Sequence, residues 1–457
     1  MGKILHYLHG LPPVRVGGLV DYALDLAEVQ RKQGYNVELL TPGAIWGRNR
    51  THIWFRKKSF RYFNWYCIQN PLPVPMTCGI KDIEWYSSNA GYNEYKKFLG
   101  KIKPEIIHVH SLMGIHRSFF QAAKELNIRI VYTSHDYFGI CPSTNLIRDG
   151  QVCENENWDR CKFCCCNSFG TLHLMFDQSF LLRLFMKQSY ALHVLQRLMK
   201  VKTLILNRNQ ATIEIAKKDN LVSDIEYEKL RRYYWDIWKM IDFFHFNSNI
   251  ARDEYVKRIG NVSHVVVPIC NQYCSDRRKL RQYGKKVRIG FLANKSEHKG
   301  YYNLIEVLNL LYKENFDFCL NIYFSEQSEK IGYVEEHLPY KRNELCEVYE
   351  QNDLIVVPSI WKETFGFVVL EALSFGVPVL VSENVGAKII LEQSEKPFGK
   401  VYGIENKQLY LSLKQILSDS NILSEWNANI CSANLEFSML KHVVEMMAKC
   451  YGGKNEQ

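Results

Sequence analysis

Asp353-Leu-Ile-Val-Val-Pro-Ser359, then Ile360, then Trp361-Lys-Glu-Thr-Phe-Gly-Phe-Val-Val-Leu-Glu-Ala-Leu-Ser-Phe-Gly-Val-Pro-Val-Leu-Val-Ser382, reads as strand, loop, helix, strand. Leu354 to Val357 is a short apolar, β-branched run of the kind buried inside a parallel sheet, and Pro358 and Ser359 end it. A helix is predicted to begin near Gly366, to turn Val368, Val369, Ala372 and Leu373 inward, and to stop at Gly376. Val377 to Ser382 supplies the next strand, so the unit is a βαβ crossover and the fold class is α/β.

Two carboxylates, Glu363 and Glu371, lie in this unit eight positions apart. That spacing sets them about two helical turns from one another, able to border one cavity at the strand C-termini, where open α/β sheets bind ligands. Between them Thr364, Phe365, Gly366 and Phe367 place backbone N–H groups at a helix N-terminus, which suits a phosphate or an incoming hydroxyl. Taken singly, Glu363 reads equally as a helix cap and Glu371 as a solvated helix residue. The whole string does not. It resembles the donor-site signature of retaining, nucleotide-sugar-dependent glycosyltransferases of the GT-B fold, the family numbered four. The resemblance implies that Glu363 contacts hydroxyls of the transferred sugar and Glu371 the ribose of the nucleotide. It also implies that the amides of Phe365 to Phe367 lie against sugar and diphosphate.

Around this unit the chain keeps the pattern of two Rossmann-like domains facing a cleft. At 457 residues it exceeds the usual size of one domain, and 47% hydrophobic with 23% charged residues is ordinary globular composition. The net charge of +10 favours anionic partners: a nucleotide diphosphate, a polyprenyl phosphate or an acidic membrane face. No basic recognition helix or motif points to nucleic acid. No signal peptide and no apolar run of about 18 residues is seen, so the expectation is a cytoplasmic protein, peripheral to the inner face of the plasma membrane at most. Fourteen cysteines without a secretory segment then suggest thiols or a metal site rather than disulfides.

The N-terminal, acceptor-side domain is predicted over 1–269. Lys3 to Leu8 is its first strand, a Gly/Pro loop follows to Gly17-Gly18, and a helix runs from about Leu19 to Gln33. Gly pairs mark ordinary turns more often than ligand sites; in the resembling family the matching glycines let the backbone approach the donor diphosphate. Residues 44–90 are not placed finely. Helix 91–100, strand Ile106–Val109, helix 114–126 and strand Ile128–Thr133 follow, and the last delivers Ser134, His135 and Asp136 to a strand exit. A surface turn histidine is the plain reading of His135; the resemblance makes it the histidine that touches the donor sugar. A Cys-rich loop spans 141–166. Cys161 and Cys164 have the gap of a zinc half-site, and Cys141 with Cys153 could complete four thiolates of a structural zinc; a reduced loop is the alternative. Residues 172–241 read as a helical insertion carrying apolar residues and Arg183, Lys187, Arg197, Lys200 and Lys202. Most of it suits core packing, with one basic, aromatic face left for a lipid-linked acceptor or membrane surface.

Residues 270–286 are polar, basic and aperiodic, as a linker would be. The donor domain is predicted over 287–436, and 437–457 forms a helix that, in the resembling fold, crosses back to the first domain. Lys299-Gly300 matches the family's Lys-Gly, whose lysine neutralises the leaving diphosphate. The family's usual Arg five residues earlier is here Asn294; either Lys295 beside it supplies the second cation or the donor phosphate is held differently. The implied activity is a retaining glycosyltransferase of hexosyltransferase type working by front-face attack. It would need no catalytic cofactor and would pass a sugar to a saccharide or polyprenyl-diphosphate-linked acceptor in bacterial surface-polysaccharide assembly. The rivals are a weakly active or inactive GT-B scaffold subunit, which Asn294 favours, and another GT-B enzyme such as a nucleotide-sugar epimerase.

Overall fold

The computed structural model describes residues 2–47, 52–76, 79–148, 150–166, 168–180, 182, 224–324, 331–419 and 421–452. The first sheet contains β1 (Lys3–Tyr7), β2 (Asn36–Pro42), β3 (Trp54–Phe60), β4 (Phe63–Gln69), β5 (Ile106–Val109), β6 (Arg129–Thr133), β9 (Phe243–Phe246) and β10 (His264–Val266). Its order is β10-β9-β6-β5-β1-β2-β4-β3, parallel except for β3, which pairs antiparallel with β4. The small hairpin of β7 (Ile147–Arg148) and β8 (Gln151–Val152) stands apart. The second sheet is β11 (Val287–Phe291), β12 (Phe318–Ile322), β13 (Val334–Glu336), β14 (Leu354–Val357), β15 (Val379–Ser382) and β16 (Gly399–Tyr402), ordered β13-β12-β11-β14-β15-β16 and wholly parallel. Two doubly wound sheets are therefore present, as the sequence predicts.

The helices of the first domain are α1 (Gly18–Lys32), α2 (Tyr92–Ile102), α3 (Arg117–Glu125), the one-turn α4 (Cys161–Cys164), α5 (Thr171–Asp177), α6 (Asp224–Trp238) and α7 (Asn249–Ile259). Those that follow are α8 (Tyr301–Lys313), α9 (Leu345–Glu350), α10 (Phe367–Ser374), α11 (Ile389–Glu392), α12 (Asn406–Ser418), α13 (Asn421–Ser432) and α14 (Met439–Cys450). In α8 the helically spaced Leu304, Val307, Leu308 and Leu311 are fully buried against the sheet, each side chain contributing roughly 1.5–3 kcal/mol. Residues 44–90 hold the β3–β4 hairpin, whose outer strand Trp54-Phe55-Arg56-Lys57-Lys58-Ser59-Phe60 lies at the sheet edge and carries the basic residues suited to an edge.

Two parts of the chain depart from the simple expectation. The linker does not float. Cys270, Asn271 and Cys274 are buried, the Arg277 amide donates to the Ser374 carbonyl, and Arg281 donates to the carbonyls of Tyr349, Glu350 and Asn352. The four cysteines Cys141, Cys153, Cys161 and Cys164 are neighbours, yet no three metal-ligating groups that include them come within 4.8 Å of one another among the described residues. Cys141 Sγ is instead 3.3 Å from Ser143 Oγ. The loop is clipped by other bonds, from Trp158 Nε1 to the Ile140 carbonyl (3.1 Å) and from Arg258 Nη2 to the Cys153 carbonyl (2.8 Å). Burial first, then the neighbouring thiols, push the Cys161 thiol far up, so it is held protonated. The insertion expected over 172–241 is helical at α5 and α6; Arg183, Lys187, Arg197, Lys200 and Lys202, with the basic face assigned to them, lie outside the described residues.

α14 packs against α1, β9 and β10 and so returns to the first domain. Its N-cap Ser438 accepts from the Lys441 amide, and Met439, Val443, Met446 and Cys450 bury against Tyr22 and Leu26 of α1. Among the described residues no helix is long and apolar enough to cross a membrane.

Candidate active site

The loop from Pro358 to Gly366 leaves β14 at its C-terminal end and enters α10 at Gly366, whose φ of 96° lies in the left-handed region that glycine tolerates. The loop is fixed on both sides. Glu363 N–H donates to the Asn384 carbonyl (2.8 Å), Gly386 N–H to the Glu363 carbonyl (3.0 Å) and Ala387 N–H to the Phe365 carbonyl (2.7 Å). From the first domain, the Ser248 hydroxyl donates to the Thr364 carbonyl, and Thr364 Oγ1 donates to the His135 carbonyl at 3.0 Å. The amides of Phe365 and Gly366 have no acceptor among the described residues, so they remain available at the start of α10.

Glu363 and Lys299 do not stand at opposite ends of the site. Lys299 Nζ donates to Glu363 Oε1 at 2.7 Å, and Ser359 Oγ donates to Oε2 at 2.7 Å. Burial alone would raise the Glu363 carboxyl; the Lys299 charge and the two hydrogen bonds outweigh it and hold the group below the usual glutamate range. Lys299 also lies 5.0 Å from the centre of the Trp361 ring. Gly300, with φ of 73°, brings the lysine here because its backbone passes over the Pro358 carbonyl, where a Cβ would come within 1.8 Å. Lys295 reaches instead over the ring of Tyr301 (5.6 Å), and the exposed Asn294 accepts from Ser296 Oγ. Neither joins the Lys299–Glu363 pair.

Glu371 is buried in α10 and is not the solvated helix residue that its position alone allows. Its Oε1 accepts from Asn271 Nδ2 and Arg342 Nη1, both at 3.1 Å, and its Oε2 from the Tyr349 hydroxyl at 3.1 Å. Arg342 continues to Asp21 in α1 and so ties the two domains together. A carboxylate offers about four acceptor positions, so one remains for a ligand hydroxyl. Asn271, Arg342 and Tyr349 were not singled out in the sequence, since each meets Glu371 only through tertiary structure. Ser359 was legible only as the end of a strand.

Gly17 and Gly18 face this loop from the first domain. Gly17, φ 130°, caps α1 with open space where a side chain would be, and a Cβ on Gly18 would lie 3.1 Å from the Phe367 ring. His135 follows β6 with its ring partly accessible; Nε2 is 3.3 Å from His110 Nδ1, and Nδ1 has no hydrogen-bond partner among the described residues. Burial, with His245 and His9 nearby, holds the ring far below the usual histidine range, so it is neutral at pH 7. Thus His135, Gly17, Gly18, Lys299, Glu363, Thr364, Phe365, Gly366 and Phe367 gather at one cleft, and Glu371 stands behind it.

The family described as glycosyl transferases group 1 matches residues 274–430, and glycosyltransferase family 4 matches residues 16–155. The chain has the GT-B fold and carries two glycosyltransferase domains. Over 98% of its length this glycosyltransferase superposes on WaaG, a glycosyltransferase involved in lipopolysaccharide biosynthesis, with TM-score 0.56, 15% identity and all (100%) of that chain covered. Sucrose-phosphate synthase from Thermosynechococcus elongatus gives 0.55 at 13% identity with 96% of its chain covered. The Anabaena protein HepE, in complex with UDP and glucose, gives 0.53 at 12% identity with 98% covered. At these identities the likeness is one of fold. A stretch of 57 residues is 35% identical to an uncharacterized 42.6 kDa protein in the cps region of Klebsiella pneumoniae; it makes up 12% of this chain and spans 15% of that protein.

Proposed function

We propose that this glycosyltransferase takes a sugar from a nucleotide-sugar donor, with retention, and passes it to a saccharide or polyprenyl-diphosphate-linked acceptor in cell-surface polysaccharide synthesis. One observation carries the reading: the Lys299–Glu363 pair sits beside the unclaimed amides of Phe365 and Gly366, opposite the bare Gly17–Gly18 backbone. A lysine, two amides and a helix N-terminus form a cradle for a diphosphate leaving group, and Glu363 and His135 offer acceptors to sugar hydroxyls. Glu371, already holding three donors, keeps an acceptor position for the ribose.

The acceptor side is supported by a cavity of about 410 Å³ between the loop at Gly10–Arg15 and the β3–β4 hairpin. Arg15, Arg56 and Lys58 line it and no carboxylate does, which suits an acceptor that carries phosphate. The short likeness to a protein of a cps region and the fold shared with WaaG agree with a surface-polysaccharide role. The deciding experiment is a panel of UDP-, GDP- and dTDP-sugars incubated with the purified protein, reading released nucleotide with and without lipid-diphosphate saccharide acceptors. Release with one donor class, accelerated by acceptor, is the expected result. Inertness with every donor and acceptor would favour a scaffold subunit, the reading that Asn294 supports.

A further inference from the structure

Among the described residues one group of ligating side chains draws its donor atoms within 4.8 Å: His6, His108 and His110, all fully buried on β1 and at the end of β5. No metal is needed to explain them. Every ring nitrogen of the three is already in a hydrogen bond, and the bonds form one chain whose direction is fixed at its far end.

The chain starts at the Val267 carbonyl, which can only accept. His245 Nε2, 2.9 Å away, therefore carries hydrogen. Burial holds His245 down to about 4, so the ring is neutral and its Nδ1 is bare. That nitrogen accepts from Thr133 Oγ1 at 3.0 Å, and the hydroxyl, its hydrogen spent, accepts from His108 Nε2 at 2.7 Å. His108, also kept neutral by burial, has a bare Nδ1 that accepts from the Tyr451 hydroxyl at 2.8 Å. The Tyr451 oxygen in turn accepts from Gln30 Nε2 at 2.9 Å, which points Gln30 Oε1 at His6 Nε2, 2.8 Å away. His6 then carries hydrogen on Nε2, and its Nδ1 accepts from His110 Nε2 at 3.0 Å. His110 Nδ1 is left bare and accepts from His135 Nε2 at 3.3 Å. Reversing the chain would set a bare His245 nitrogen against the Val267 carbonyl, two acceptors with no hydrogen between them.

We propose that this chain fixes His135 as the Nε2–H tautomer, so that its bare Nδ1 faces the cleft as an acceptor for a hydroxyl of the transferred sugar. Tyr451 and Gln30 are then positioning residues for the site, although neither reaches it. The sugar contact rests on the function proposed above; the tautomer does not. Tyr451 is the coupling link. Without its hydroxyl, the Gln30 amide is released to rotate and present its NH₂ to His6, and the order His6, His110, His135 then inverts. His135 would offer Nδ1–H, a donor where the sugar hydroxyl needs an acceptor.

The test is imidazole ¹H–¹⁵N correlation NMR on the full chain labelled at histidine, with the His135 signals assigned by their loss in His135→Asn. Wild type is expected to show one neutral Nε2–H tautomer for His135 at pH 7. Tyr451→Phe is expected to add the Nδ1–H form. Gln30→Met, which keeps the packing and cuts the same link, should do likewise. Tyr22→Phe removes a buried hydroxyl that bonds His442 Nε2 at 2.9 Å and is no link of the chain, while keeping the ring that packs 5.1 Å from His135, and should leave the His135 tautomer unchanged. In sugar transfer, Tyr451→Phe should lower kcat about tenfold with little change in nucleotide affinity, and Tyr22→Phe should keep wild-type kcat. A wild-type His135 that is charged or Nδ1-protonated would overturn the proposal, as would a tautomer indifferent to both Tyr451→Phe and Gln30→Met. Stoichiometric zinc held by His6, His108 and His110 would also overturn it, because their lone pairs would then point at the ion. The expected tautomers in a protein inert with every donor would leave the chain standing and remove the sugar contact.

Discussion

Lys299 and Glu363 are separated by 64 positions and meet through the turn at Gly300 and the loop after β14, so they act as one unit. Removing Lys299 leaves a mostly buried carboxylate without its cation and, in the proposed reaction, takes away the charge that would meet a departing diphosphate. Lys299→Ala and Glu363→Ala are each expected to lower sugar transfer about a hundredfold, roughly 2.7 kcal/mol of barrier, while the proteins stay folded in thermal melts. Because the groups touch, the double variant should lose far less than the product of the two, and strict additivity in a double-mutant cycle would separate their roles. Glu363→Ala should bind nucleoside diphosphate nearly as well as wild type. Glu371 behaves differently: Glu371→Ala is expected to weaken nucleoside diphosphate binding by about 1–3 kcal/mol, and unchanged affinity in calorimetry would remove the ribose assignment. At this scale the sequence disclosed what a continuous motif carries, namely Glu363, Glu371 and the intervening amides. It did not disclose Arg342, Asn271 or Tyr349, since no local spacing announces which cation or amide will fold onto a given carboxylate.

Among the elements, the crossover from β14 through α10 to β15 was readable because its apolar runs are long and its breakers are Pro358, Gly366 and Gly376. The β3–β4 hairpin was not, because an edge strand with its aromatic and basic residues in runs rather than alternation shows a buried face only once its partner is known. Gly300 makes the closest backbone approach of any glycine among the described residues of the second domain. Gly300→Ala places a methyl group on the Pro358 carbonyl in a left-handed backbone, so the start of α8 must move and carry Lys299 with it. Transfer should fall at least tenfold with a lowered melting temperature, and wild-type kinetics would show that the loop yields freely. In the Cys-rich loop a spacing of two gathers thiols around Cys161 without drawing three ligand atoms within 4.8 Å among the described residues. Dialysis against a chelator is expected to leave the melting temperature unchanged; a fall accompanied by loss of about one zinc per chain would restore the four-thiolate reading.

The whole molecule carries an unusual load of neutral histidine between its sheet and α14. Burial holds His6, His9 and His245 down to about 4 and His442 to about 3, against 6.5 in the open chain. A base depressed in the folded state contributes stability that is complete above pH 6.5 and is lost as the pH falls toward the folded value, because the unfolded chain then takes up the protons. Asp25 and Asp136, raised by burial from 3.8 to about 6, work the other way between those limits. With His108, His110 and His135 held lower still, the depressed histidines far outnumber the two aspartates, so unfolding takes up a net of several protons near pH 5 and stability should fall steeply toward acid there. Urea titrations at pH 7, 6 and 5 check this, and a flat or rising stability toward acid would contradict it. The return of α14 to the first domain has one more consequence, for the order of events during synthesis. β1, β5 and α1 emerge from the ribosome early, yet His108 and Gln30 wait for the Tyr451 hydroxyl, 343 and 421 positions further along the chain. A nascent chain stopped before Met439 therefore holds a first domain with a complete sheet and an open polar seam. A tyrosine translated 343 positions after His108 is what closes the first sheet to be made.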